Sequence, residues 1–230
     1  LTQVKGNTWV IEANQLIPLY KLDEKRCVLL DTGLLQEREE LEHTLLDNGL
    51  TPARVLCSHA HVDHCANNGY FQEKYGTQIA LTFPEAGMCA SPLTLKCYFL
   101  TLSPRTVERE SSCMVHQPDY FIPPNDMPFT LGGVKFQIIQ TPGHSAGHIC
   151  TITPDNVCYT ADALLSQELL NAKLPYNLSQ QAAMDSREKL RGLGCDFYIM
   201  AHRGVCPGEE VGALIDGNQA MIRRRAEEIL

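Results

Sequence analysis

Long apolar runs are missing from this chain. No stretch approaches the ~18 consecutive apolar residues that a membrane-spanning helix needs, which excludes such a span. The polar start, Leu1-Thr2-Gln3-Val4-Lys5-Gly6, lacks the positive-then-apolar order of a secretory signal, so a soluble, cytoplasmic protein is expected. Cys-x-x-Cys pairs are also absent. The ten cysteines are scattered singly, and without an export signal they read as reduced thiols, not as a disulfide framework. Cys57 and Cys65 in particular read as small buried hydrophobes. Long blocks of like charge are missing too. A net charge of −8 opposes a broad phosphate-binding surface, so neither nucleic acid nor membrane is an expected partner, and a small-molecule substrate is.

What is present is enough for one sizeable core. At 230 residues and 44% hydrophobic, the chain reads as one domain over residues 1–230. Apolar patterning predicts strands over 8–13, 16–21, 27–31, 54–58, 78–82, 134–140, 149–153, 157–160 and 197–200. It predicts helices over 37–48 (Leu41, Leu45 and Leu46 inward, Gly49 as stop), 65–75 (Tyr70, Phe71 and Tyr75 on its apolar side, Gly76 as stop), 179–191 and 208–230.

One short segment concentrates metal-seeking side chains: His59, His61, Asp63 and His64 lie within Ser58-His-Ala-His-Val-Asp-His64. The strand over 54–58 ends where the cluster begins, and a helix starts where it finishes. Residues two apart, such as His59 and His61, share a face at a strand end, so strand end and helix start turn four donors toward one point. Imidazole with carboxylate suits zinc, iron or manganese, and a donor set without thiolate points to a water-accessible catalytic site, not a closed structural one. Further candidates of the same chemistry stand alone at His144, Asp162 and His202.

The chain resembles the metallo-β-lactamase superfamily. The resemblance rests on the His-x-His-x-Asp-His core at 59–64, Thr141-Pro-Gly-His-Ser-Ala-Gly-His148, Tyr159-Thr-Ala-Asp162 and Ala201-His-Arg203, four motifs in the family's order. It implies an α+β fold, an αββα sandwich of two mixed β-sheets flanked by helices, which the alternation of strands and helices in two halves fits. It also implies a ligand set: His59, His61 and His144 for a first metal, Asp63, His64 and His202 for a second, and Asp162 as bridge. Two divalent ions, zinc ahead of iron or manganese, would share a hydroxide able to attack a carbonyl at neutral pH. Asp63 would orient that hydroxide or pass a proton to the leaving group.

Departures narrow the reading. Asp162 argues against the antibiotic-hydrolysing branches, and His61 against the flavin-linked di-iron branch, which has glutamate there. The 28 residues after His202 are too few for the helical glutathione-binding domain of the glyoxalase II type. A hydrolase of a small ester, thioester or lactone is expected. The alternative is an iron persulfide dioxygenase using His59, His144 and Asp162, and a non-catalytic metal-binding module would require a ligand to be missing. His148 is expected to support the site without ligating, and His43 and His116 are expected at the surface. The gap of 80 positions from His64 to His144 holds an apolar insertion at about 84–130, read as a substrate lid or a homodimer interface. Lys173 and Tyr176 are candidate contacts to an anionic or carbonyl group of the substrate, against the plainer reading of a solvated lysine and a core tyrosine.

Overall fold

Along the strand Arg26–Leu30, Cys27 and Leu29 point to one side and Val28 and Leu30 to the other, and all four are fully buried. A strand apolar on both faces has to be covered on both. The computed structural model, which describes residues 1–172, 176–202 and 204–229, does this with four layers.

The first sheet runs β1 (Thr2–Lys5), β2 (Thr8–Glu12), β3 (Leu16–Lys21), β4 (Arg26–Leu30), β5 (Thr51–Leu56), β6 (Gln78–Thr82) and β7 (Tyr120–Ile122) in spatial as in chain order. It is antiparallel from β1 to β4 and parallel from β4 to β7. The second sheet has the order β13 (Val205–Pro207), β12 (Phe197–Met200), β11 (Val157–Ala161), β10 (Ile149–Ile152), β9 (Val134–Gln140) and β8 (Met127–Leu131), with β11 and β12 its parallel pair. Tyr20, Val28, Leu56, Phe136, Ile138 and Ile199 fill the space between the sheets. On the outer face of the first sheet lie α1 (Arg38–Asp47), α2 (Val62–Cys65), α3 (Asn68–Tyr75), α4 (Phe83–Cys89), α5 (Pro92–Tyr98) and α6 (Pro104–Ser111), packed through Leu41, Leu45, Phe71, Leu95 and Val107. After β11 come α7 (Gln167–Ala172), α8 (Gln180–Arg191) and α9 (Val211–Ile229), and α8 and α9 cover the second sheet through Leu190 and Ile215.

Several sequence expectations are revised. The single helix over 65–75 is two short helices, because Asn67 turns its amide onto the Thr32 and Leu34 carbonyls and breaks the run. Leu46 faces solvent: it lies five residues past Leu41, on the far side of α1, and Glu42 takes the inward place. The helix expected from 208 begins as a 3₁₀ turn and is α-helical from Val211. The stretch at about 84–130 resolves into three helices followed by β7 and β8, one strand for each sheet. Leu95, Val107 and Met114 from it are fully buried, so much of it is integral to the core. His116 is buried, not at the surface: its Nδ1 meets the Met114 carbonyl and its Nε2 lies 3.2 Å from the Asn68 amide.

Candidate metal centre

The seven candidate ligands all lie just beyond strand ends: His59 to His64 after β5, His144 after β9, Asp162 after β11 and His202 after β12. The two sheets meet there, where Ile149 N–H donates to the Ser58 carbonyl, and Ala201 N–H donates to the Ala161 carbonyl, which sets Asp162 and His202 side by side. Ala161 adopts φ 45°, a left-handed conformation strained for a residue with a Cβ, and this turns the chain to present Asp162.

The side chains form two groups. Donor atoms of His59, His61, His144 and Asp162 lie within 4.8 Å of one another, as do those of Asp63, His64, Asp162 and His202. In the first, His59 Nε2 and His144 Nε2 lie 3.0 and 2.9 Å from His61 Nδ1. In the second, Asp63 Oδ2 is 3.6 Å from His64 Nε2 and 3.3 Å from His202 Nε2. Asp162 belongs to both: Oδ2 lies 3.1 Å from His144 Nε2, while Oδ1 lies 3.4 Å from His202 Nε2 and 3.6 Å from His64 Nε2.

This arrangement fits cations. His64 Nε2 and Asp162 Oδ1 are both buried and neither has a hydrogen-bond partner, a costly pairing of polar atoms that a shared positive ion would satisfy. Burial, then the neighbouring imidazoles His64 and His61, holds His59 well below the usual histidine range, and burial and His144 lower His61 to about 3, so both offer neutral lone pairs. Burial disfavours charge on Asp162, yet His64, His144 and His202 outweigh it and keep its carboxyl ionised; the Asp162 and Asp63 carboxylates, 3.4 and 3.3 Å from its Nε2, lift His202 to about 9. The carboxylates thus draw positive charge to the second group.

Hydrogen bonds around His59, His61, His64 and His144 fix which nitrogen each of them presents. Asp31, fully buried at φ 71°, accepts from His64 Nδ1 at 2.7 Å, from the Ser58 amide and hydroxyl at 2.6 Å each, and from the Tyr159 hydroxyl at 2.7 Å. The Ser58 hydroxyl in turn lies 2.9 Å from His59 Nδ1, so one carboxylate orients a ligand in each group. His144 Nδ1 donates to the Tyr176 carbonyl, 2.9 Å away. His61 is reversed: it turns Nδ1 to the group and places Nε2 against the Tyr98 hydroxyl, at the end of α5. Glu85, from α4, accepts at 2.7–2.8 Å from Ala60 N, Ser145 Oγ and Gly147 N, and so ties the 59–64 loop to the 144 loop. His148 belongs to neither group: it lies 2.8 Å from the Thr141 hydroxyl through Nδ1 and accepts from the Asp162 backbone N–H through Nε2. Cys57 and Cys65 are fully buried.

A cavity of about 480 Å³ opens on the first group, between His61, Asp63, His144 and Asp162 on one side and Tyr98, Phe99, Leu100 and Tyr176 on the other. Tyr176, expected near substrate, lines it; Lys173 lies outside the described residues.

A model of the metallo-beta-lactamase superfamily matches residues 1–202. The chain belongs to the metallo-β-lactamase superfamily. As a superfamily member it is 27% identical over 191 residues to a hydroxyacylglutathione hydrolase of Brucella ovis, and equally to one of Brucella abortus; the match covers 82% of the chain and 63% of each relative. The chain therefore spans less than two thirds of these curated relatives. The fold is that of solved superfamily structures. A metallo-beta-lactamase family protein of Thermus thermophilus has a TM-score of 0.76 at 20% identity, covering 97% of this chain and 82% of its own. A subclass B3 metallo-beta-lactamase of Bradyrhizobium japonicum has a TM-score of 0.70 at 15% identity, covering 99% of this chain and 94% of its own.

Within the superfamily site, Asp31, Glu85 and Tyr98 are the supporting residues that sequence reasoning missed. Asp31 carried a signal, a carboxylate closing an apolar strand before Thr32-Gly33. Glu85 and Tyr98 carried none, because their partners are 25 or more residues away.

Proposed function

We propose that this chain is a two-metal hydrolase, with zinc the preferred ion, that cleaves a small neutral ester, thioester or lactone. One observation carries the reading: the two oxygens of Asp162 are divided between donor sets that each hold three further ligands. The name of the Brucella relatives supports an acyl-bond hydrolysis. Cations held here supply Lewis acidity to a carbonyl oxygen and lower the proton affinity of water.

The residues provide the rest. Asp63 borders the cavity, and although burial disfavours its charge, His64 and His202 lower its carboxyl to about 2, which keeps it an acceptor. It takes a proton from the attacking water and returns it to the departing oxygen or sulfur. In balance, the water oxygen bonds to the carbonyl carbon, the C–O or C–S bond breaks, and an acid and an alcohol or thiol result. No serine or cysteine nucleophile takes part. The segment from Phe83 to His116 supplies the wall facing the substrate, through α5 and the residues after it.

Asp162→Ala tests the reading, with metal content falling and hydrolysis abolished together. Full metal content with a normal rate in that variant overturns the bridge. Metal analysis of protein purified without added metal separates the alternatives: two zinc ions per chain accord with the hydrolase, whereas one iron with oxygen uptake makes the chain a persulfide dioxygenase.

A further inference from the structure

The wall of the cavity opposite the ligands is mostly apolar, and two of its polar atoms are engaged within the protein. The Tyr98 hydroxyl is held by His61 Nε2, and the Tyr176 carbonyl by His144 Nδ1. Phe99 ends α5 with φ −84° and ψ 63°, and Lys96 turns its ammonium onto the carbonyls of Phe99 and Leu100, which takes the nearest cation on this element away from the cavity. What faces the opening is chiefly aromatic and aliphatic, Val62, the Tyr98 and Tyr176 rings, Phe99 and Leu100, with Thr101 beside them. Leu100 is 76% exposed and Tyr176 53% exposed, large apolar groups open to water at the mouth of a site. Among the described lining residues the carboxylates are Asp63 and Asp162, the imidazoles are His61 and His144, and none is a lysine or arginine.

From this wall, and resting on the hydrolase reading above, we infer that the substrate carries an uncharged apolar acyl chain or lactone side chain that lies against Tyr98, Phe99, Leu100 and Tyr176. The scale is about six to ten carbons, as suits a cavity of a few hundred Å³. A polar, doubly carboxylated leaving group such as glutathione finds no lysine or arginine among the described lining residues. Chain length contributes through burial, up to about fourfold per methylene, the factor equivalent to about 0.8 kcal/mol.

Two measurements on one homologous series test this. The first is binding of neutral alkanamides, butanamide to octanamide, to chelator-treated protein by calorimetry. The second is kcat/KM of metal-replete protein on the matching thioesters, with S-lactoylglutathione as the polar comparison. Both should rise about two- to fourfold per methylene, and Leu100→Asp should flatten both slopes. Binding that ignores chain length, or faster turnover of S-lactoylglutathione than of the octanoyl thioester, overturns the inference. Graded binding with no hydrolysis of any member keeps the apolar ligand and sinks the hydrolase reading instead.

Discussion

Asp162 N–H donates to His148 while the Asp162 oxygens face the two donor groups, so His148 acts on the carboxylate through the backbone that carries it. On the two-metal reading, His148→Ala should therefore retain both ions at saturation while weakening them roughly ten- to a hundredfold, the scale of lost ligand support. His144→Ala should empty the first group, and equal metal loss from both variants, read by chelator competition, would reverse the assignment. Glu85 is a second test at this scale. It is buried and accepts three hydrogen bonds, and Gln replaces one of its acceptor oxygens by a donor that meets an N–H or O–H head-on. Glu85→Gln should lower unfolding free energy by about 2–3 kcal/mol in urea titration, and an unchanged midpoint would deny it the clamping role. The seven candidate ligands were legible in the sequence because four sit within six residues and the other three in recognisable motifs. Their supports were not: Asp31 reaches His64 across 33 positions, and Tyr98 reaches His61 across 37. Contacts of that separation exist only once the sheets have formed.

Helix α8 and the His144 loop show how elements hold the site. Gly143 sits at φ 137°, and a Cβ there would lie 2.3 Å from Ala183 N and 2.4 Å from Ala183 Cα, both in the first turn of α8. The loop and helix are further joined by Ser179 N–H to the Gly143 carbonyl and by the Ser186 hydroxyl to the Pro142 carbonyl at 2.7 Å. Gly143→Ala must push α8 or His144 away. It should cost more than about 2 kcal/mol of stability, with metal loss from the first group before the second; a variant as stable and metal-rich as the parent would show the contact to be slack. Elements with strong apolar patterning, β2 to β4, β9 to β12 and α1, were readable from the chain. The edge strands were not. In β1 the pattern Thr2-Gln3-Val4-Lys5 is almost all exposed, and β7, β8 and β13 are only three to five residues long and largely open to solvent, so they form because a neighbour offers unpaired backbone. Their absence from the sequence reading made the stretch at 84–130 look like a single excursion, when its end supplies a strand to each sheet.

For the whole molecule, Asp31, Asp63 and Asp162 converge on one end of the sandwich, where their ion-pair partners among the described residues are imidazoles. An ion bound there stabilises the native state by mass action, about 2.7 kcal/mol at a hundredfold excess over Kd. For a chain of this size that is a rise of about 5–10 °C in melting temperature on going from chelator-treated to zinc-replete protein. Calorimetric scans that coincide would mean the site holds no structural charge deficit. The spread of the ligands, from His59 to His202 on loops of both sheets, has a further consequence in time. A chain still emerging from the ribosome carries only the 59–64 cluster until β9, β11 and β12 follow, and the carboxylate shared by both donor groups is more than a hundred positions past Asp31, which orients His64. Tight metal capture therefore waits for nearly the entire domain to be made and docked. It is the closing event of maturation, and ion uptake by refolding protein should be the slowest phase observed, lagging the recovery of secondary structure.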